Sequence, residues 1–227
     1  RNDGRTPTQL RSVRIVKGIQ AFAEGSAMIS QGKTRVLCTV SVSDRVPFFL
    51  KGQKRGWVTA EYAMLPRATP ERTPRDQQKG RPNGRSMEIQ RLIGRSLRAV
   101  TDMDSLGERT LTVDCDVLQA DGGTRTAAIT CAYVALYQAV SNLIKEGKLK
   151  KNPISSALAG VSIGVLDGYV LTDLCYEEDS QADVDFNIVM TDKMEFVEIQ
   201  GTAEKKSFNY NDLESMLSIG KNSLKQI

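Results

Sequence analysis

Histidine is absent from all 227 residues. Its absence excludes Ser-His-Asp and Cys-His nucleophilic machinery, zinc sites built on imidazole, and the usual general base near neutral pH. An enzyme of this composition takes its nucleophile from the substrate side and leaves charge to carboxylates or a metal. Cysteine is scarce. Cys38, Cys115, Cys131 and Cys175 lie far apart, with no CxxC pair for zinc or redox work. Three of the four fall in alternating, strand-like runs and read as buried thiols. No apolar stretch approaches the ~20 residues that a membrane helix needs, and Arg1-Asn2-Asp3-Gly4-Arg5 does not resemble a signal peptide. The expected setting is the cytoplasm, with no membrane partner.

The chain has an ordinary globular balance, 40% hydrophobic and 26% charged, and suffices for one domain or two small ones sharing a core. Its net charge of +4 is unevenly spread. Arg45 to Arg98 carries 13 Lys/Arg against 4 Asp/Glu, whereas Asp173 to Glu198 carries nine acids and one lysine. A basic segment paired with an acidic cluster suits a polyanion held near a metal. Solvated faces of an unrelated protein would give the same counts.

Alternation marks strands at Val36-Leu37-Cys38-Thr39-Val40-Ser41-Val42 and at Thr110 to Val117. Turns are expected at Gln31-Gly32-Lys33, at Asp167-Gly168, and at Asp192-Lys193. Ile89, Leu92, Ile93, Leu97 and Val100 make a helical stripe, with Ser86 the expected N-cap and Arg91, Arg95 and Arg98 off the stripe. Thr126 to Lys145 reads as a buried alanine-rich helix, and Leu213, Met216, Leu217 and Leu224 mark a C-terminal one. Arg67 to Gly84, rich in Pro, Arg and Gly, reads as a mobile exposed loop. There is no evident internal repeat or linker. Interleaved strands and helices predict a compact α+β or α/β architecture.

Gly32-Lys33-Thr34 ends like a P-loop, but position 27 is Ala and the following residues read as strand rather than helix. The better phosphate candidate is Asp121-Gly122-Gly123-Thr124-Arg125-Thr126, between a strand and a helix start. Glycines let backbone N–H groups approach an anion, the helix dipole favours it, Thr124 adds a hydroxyl and Arg125 a planar fork. A plain turn with Asp121 as helix cap is the structural alternative. In Glu177-Glu178-Asp179-Ser180-Gln181-Ala182-Asp183-Val184-Asp185, residues 177, 179, 183 and 185 share parity, so an extended chain would bring their carboxylates to one face. Such oxygens suit Mg²⁺ or Mn²⁺, although a solvated acidic loop fits the spacing too. Arg67, Arg72, Arg75, Lys79, Arg81 and Arg85 suit backbone contacts along RNA, or simple solubility.

These segments carry a resemblance that is nearly end to end. Gly56-Trp57-Val58-Thr59-Ala60-Glu61-Tyr62, Met64-Leu65-Pro66-Arg67-Ala68-Thr69 and Met87-Glu88-Ile89-Gln90-Arg91-Leu92-Ile93-Gly94-Arg95 occur in order. Asp114 to Thr126, Tyr176-Glu177-Glu178-Asp179-Ser180 and Glu198-Ile199-Gln200-Gly201-Thr202-Ala203-Glu204 follow. The chain resembles the ribonuclease PH family. The resemblance implies a ribosomal-protein-S5-domain-2-like α+β fold over residues 1–227, a single domain with an internal pseudo-repeat. It implies a phosphorolytic 3′-to-5′ exoribonuclease acting on tRNA precursors and other RNAs, with inorganic phosphate as co-substrate, nucleoside 5′-diphosphates as products, and a reversible reaction. The phosphate pocket then falls on Arg85, Gly123, Thr124 and Arg125, the catalytic and metal-linked carboxylates on Asp179 and Asp185, and the tRNA contacts on Arg67, Arg72 and Arg75. A homohexameric ring, a trimer of dimers, is the implied assembly. Phe22 stands where relatives often carry histidine, Phe186 where they often carry methionine, and Lys54-Arg55 replaces a more glycine-rich loop. Relatives are expected to extend somewhat past Ile227. The rival within the resemblance is a catalytically silent, RNA-binding ring subunit of exosome type, which would typically lose the arginine pocket or the aspartate pair.

Overall fold

The computed structural model describes residues 1–75 and 83–227. Lys79 and Arg81 therefore lie outside the described residues. In chain order the elements are β1 (Val13–Lys17), β2 (Gly25–Gln31), β3 (Thr34–Ser43), β4 (Trp57–Met64), α1 (Gly84–Ala99), α2 (Met103–Leu106) and β5 (Thr110–Gln119). They continue with α3 (Thr124–Lys145), β6 (Leu158–Leu166), β7 (Tyr169–Thr172), α4 (Tyr176–Asp179), β8 (Val184–Thr191), β9 (Phe196–Ala203) and α5 (Tyr210–Leu224). This is an α+β fold with two sheets.

The first sheet runs β1-β2-β3-β5-β4, with β4 parallel to β5 and the other neighbours antiparallel. The alternation in β5 is realised: Leu111, Val113, Cys115 and Val117 are buried while the residues between them are not. The second sheet runs β7-β6-β8-β9, all antiparallel. Asp167 and Gly168, both at positive φ, turn β6 into β7, as two central residues of a tight hairpin require. The Gly32-Lys33 turn joins β2 to β3 and opens no helix.

Helix α3 contacts β2, β3 and β5 on one side and β6 on the other, so it forms the shared core of both sheets. Three sequence expectations need correction here. Helix α3 is 22 residues long and its most apolar stretch reaches a mean hydropathy of 1.4, the length and apolarity of a membrane span. Its apolar side chains instead pack into the core, Ile129, Ala132, Ala135 and Leu136 being fully buried. Two cysteines rather than three lie in strands, because Cys131 sits on the buried face of α3 and Cys175 precedes α4. Asn83, not Ser86, is the N-cap of α1, its side chain accepting from the Arg85 N–H at 3.0 Å. The helix thus begins a turn earlier than the apolar stripe suggests, and Ser86 lies inside it. A separate cluster, with Val161, Phe186, Ile188 and Met216 at its centre, fastens α5 to the second sheet.

Candidate active site

A cleft of about 300 Å³ opens where the end of β5 and the start of α3 meet β6, α4 and β8. It is lined by Arg85, Gly123, Thr124, Arg125, Asp179 and Asp185, with Ser162, Tyr176 and Asn187 among its other walls. A larger hollow of about 460 Å³ lies beside Arg1 and Arg5. The charges there already pair with one another through Glu178, so the smaller cleft is the one with chemistry to offer.

Gly122 and Gly123 take φ of 73° and 64°, a region glycine enters without strain. Gly123 is the N-cap of α3 and no side chain caps the helix. Asp121, the alternative cap, instead accepts from the Tyr176 N–H at 3.3 Å. The first N–H groups of a 22-residue helix thus face the cleft without a side-chain acceptor. Thr124 accepts the Tyr62 hydroxyl at 3.0 Å, which leaves its own proton for a cleft ligand. Arg125 is steered by Gln200 of β9 at 3.2 Å and by Glu88 of α1 at 3.8 Å. Arg85, in the first turn of α1, supplies a second guanidinium.

Asp179 ends α4, and Asp185 is the second residue of β8. The Asp185 Oδ1 accepts from Asn187 Nδ2 at 2.9 Å. Burial, and next the negative charge of Asp185, push the Asp179 carboxyl above the ordinary carboxylate range, while Arg85 and Arg125 pull it down. The four charged groups therefore sense one another across the cleft. The shared-parity argument fails, because 176–179 is a helical turn rather than extended chain. Glu177 is exposed and accepts from Asn2 at 2.9 Å, and Asp183 pairs with Lys206 at 3.2 Å. Only Asp179 and Asp185 of that set reach the cleft. Among the described residues no group of three or more acidic or cysteine side chains could hold a metal. Two mutually repelling carboxylates do fit a hydrated Mg²⁺, which commonly takes one or two carboxylates plus waters and substrate phosphates.

Arg67, Arg72 and Arg75 are exposed and do not line the cleft. Their loop is nevertheless tied to it: the Ala120 N–H donates to the Ala68 carbonyl at 2.8 Å, and Thr69 is a wall residue. Arg75 lies close enough to Asp116 to lower a carboxyl that burial raises. Tyr62, Ser162, Gln200 and Asn187 were not singled out as candidates by sequence reasoning. Tyr62 and Gln200 at least lie inside segments that carry the resemblance.

Two family models cover most of the chain. The "3′ exoribonuclease family, domain 1" model matches residues 9–141, and the "domain 2" model matches residues 156–223. The chain is similar to the proteins named ribonuclease PH of Dehalococcoides mccartyi strains BAV1 and CBDB1. Each is 56% identical over 227 residues, which span 100% of this chain and 94% of the relative. Among solved structures it resembles an Archaeoglobus fulgidus exosome with RNA bound to the active site (TM-score 0.85, 23% identity, 100% of this chain and 90% of that one). It also resembles rice (Oryza sativa) Rrp46 (TM-score 0.80, 21% identity, 100% and 95%). At those identities the structures speak for the fold alone. With both family models in register and more than half of all residues shared with proteins of that name, the chain belongs to the ribonuclease PH family of phosphate-dependent 3′-to-5′ exoribonucleases.

Proposed function

We propose that this cleft trims the 3′ ends of tRNA precursors and other RNAs by phosphorolysis. The observation that carries the reading is the uncapped start of α3 at Gly123, flanked by Arg85 and Arg125 and facing Asp179 and Asp185. Inorganic phosphate seated at that turn would be held by backbone N–H groups, Thr124 and the two guanidinium groups. One of its oxygens bonds to the phosphorus of the last phosphodiester while the bond to the preceding ribose 3′ oxygen breaks. That oxygen leaves as a hydroxyl, and a nucleoside 5′-diphosphate is released. The reverse reaction adds a nucleotide and returns phosphate. Asp179 and Asp185 would hold Mg²⁺ or Mn²⁺, which when bound neutralises charge developing on the phosphoryl group. No histidine is needed, since phosphate is itself the nucleophile.

The chain acts as one unit in this reading, because Arg125 comes from the core helix and Asp185 from the second sheet. A homohexameric ring is the proposed assembly, supported by apolar side chains such as Phe22 and Phe48, which are 100% and 93% exposed in the single chain. The proposed setting is the cytoplasm, which suits Cys38 and Cys115, free thiols with sulfurs 3.4 Å apart.

With phosphate and a divalent cation, RNA with a free 3′ end should yield nucleoside 5′-diphosphates. Monophosphates as the main product, or equal activity without phosphate, would sink the proposal. Arg125→Ala should raise the phosphate concentration required, since a charge-assisted contact contributes roughly 1.5–3 kcal/mol. An unchanged phosphate response in that variant would put the pocket elsewhere.

Arg67, Arg72 and Arg75 would grip the body of the RNA through its phosphates, away from the reacting bond. Replacing Arg72 and Arg75 by Ala should weaken tRNA-precursor binding and flatten its salt dependence by about one to two units of slope. Phosphorolysis of a short oligonucleotide should change little. Equal losses on both substrates would move these arginines into the cleft or the ring interfaces.

A further inference from the structure

The phosphate-binding turn does not hold itself in place. Both of its glycines take positive φ, and the carbonyls of Asp121 and Gly122 are collected by one buried side chain. Arg11, its side chain 5% exposed, donates from Nη1 to the Asp121 carbonyl and from Nη2 to the Gly122 carbonyl at 3.4 Å. A methyl carbon built on Gly123 would stand 3.1 Å from Arg11 Nη2, so the guanidinium lies directly beneath the turn. Thr34 completes the cradle, donating to the Gly122 carbonyl at 2.7 Å and accepting from the Asp121 N–H at 3.0 Å.

Arg11 is in turn locked by Asp173, which is wholly buried. The Asp173 carboxylate accepts from Arg11 Nη2 at 2.6 Å, Nε at 3.1 Å and the Arg11 backbone N–H at 2.7 Å, and from Gln31 Nε2 at 2.7 Å. Asp173 itself sits at φ 52°, a strained conformation for a residue with a side chain. A buried ion pair is a poor way to gain stability, because desolvation of both charges offsets most of their attraction. What this pair does supply is a fixed fork under a loop that has no side-chain cap of its own. The same segment reaches the opposite wall. Arg1 and Arg5 donate to the Asp173 carbonyl at 3.0 and 2.9 Å and hold the Glu178 carboxylate at 2.7 to 3.5 Å. Glu178 accepts from the Cys175 N–H at 3.0 Å and so fixes the turn that presents Asp179.

We propose that Arg11, held by Asp173, is a positioning residue for inorganic phosphate: it fastens the Asp121-Gly122 carbonyls from behind so that the following N–H groups and Arg125 face the cleft. The proposal rests on phosphate occupying that turn, and the test separates the two. Steady-state phosphorolysis of a short RNA is measured across a phosphate series for the wild type, Arg11→Gln, Arg11→Lys and Gln31→Met, with melting temperatures alongside. A wild type that does not respond to phosphate sinks the occupancy reading itself. Given that response, Arg11→Gln should raise the phosphate KM about tenfold or more, the scale seen when an outer partner of a binding group is lost at metal sites. The loss in kcat/KM for phosphate should lie mainly in KM, and the RNA KM should move far less. Arg11→Lys keeps the charge over Asp173 and should recover part of the loss. Gln31→Met, which leaves Arg11 in place and removes one donor to Asp173, should give a smaller rise in the same direction and serves if the Arg11 variants do not fold. An unchanged phosphate KM in the folded variants overturns the proposal. So does a rise in phosphate KM and RNA KM by the same factor, which would make Arg11 a general structural residue.

Discussion

Asp179→Asn should collapse turnover, by on the order of 10²- to 10³-fold as for the loss of other transition-state charge stabilisers, while the melting temperature holds or rises. The two halves of that expectation share one cause. Burial and the neighbouring charge of Asp185 raise the Asp179 carboxyl above its ordinary range, so the folded protein binds that proton more tightly than the unfolded chain does. Such a group favours the fold at pH values below the unfolded carboxylate range, and that contribution is lost as pH rises through the raised folded value. At neutral pH the ionised Asp179 is therefore a cost, and an uncharged isostere removes it. Asp185→Asn should show the same collapse, and it removes the charge that helps raise Asp179. RNA binding should survive in both. Without a divalent cation, the stability that Asp179 contributes should be lost as pH rises through its raised folded value, and that loss should be absent in Asp179→Asn. Near-normal turnover in both variants, measured with phosphate and divalent cation present, would reduce these carboxylates to wall residues.

Gly122→Ala should be among the most damaging single-methyl additions in the chain. The new carbon would lie 2.4 Å from the Leu174 carbonyl oxygen, 2.7 Å from the Cys175 carbonyl carbon and 2.9 Å from the Tyr176 nitrogen. All three are backbone atoms and cannot swing aside. The φ of 73° adds a left-handed penalty of roughly 1–2 kcal/mol for a residue with a Cβ. Overpacking adds typically about 1–3 kcal/mol. Because the obstructing backbone leads into α4, relief would drive the glycine turn away from Asp179, so activity should fall further than stability. Gly168→Ala is the matched control. It has φ 78° and nothing within 4 Å, so it should show the conformational penalty alone and keep its turnover. Comparable melting temperatures for the two variants would show that the Gly122 neighbourhood yields more than its backbone atoms suggest.

Much of the architecture was legible because local signals agree with it. The alternation of Leu111 to Val117, the hairpin at Asp167-Gly168 and the stripe from Ile89 to Val100 each reflect a period set by one element. The glycine pair before α3 was readable for the same reason, since a turn and a helix start announce themselves within six residues. The rest needed tertiary information. Asp179 and Asp185 meet because a single helical turn precedes β8, a conformation that parity counting over 177–185 cannot register. Arg11 gave no signal at all. It belongs to an irregular segment, and its partner is 162 residues away. The N-cap of α1 was misplaced because Ser86 and Asn83 are both good caps, and only packing selects between them.

The position of β5 between β3 and the edge strand β4 has a consequence for how the site comes into being. Its partner on one side, β3, is joined register to register with Cys38 opposite Cys115, 77 residues apart, and its parallel partner β4 is reached through α1 and α2. Closing loops of that length precedes any reward from pairing, which makes such contacts late events in folding. The glycine turn follows directly from β5, and the facing carboxylates arrive only with α4 and β8. In a chain still emerging from the ribosome, Arg67, Arg72 and Arg75 are therefore made well before the two carboxylates of the cleft, Asp179 and Asp185.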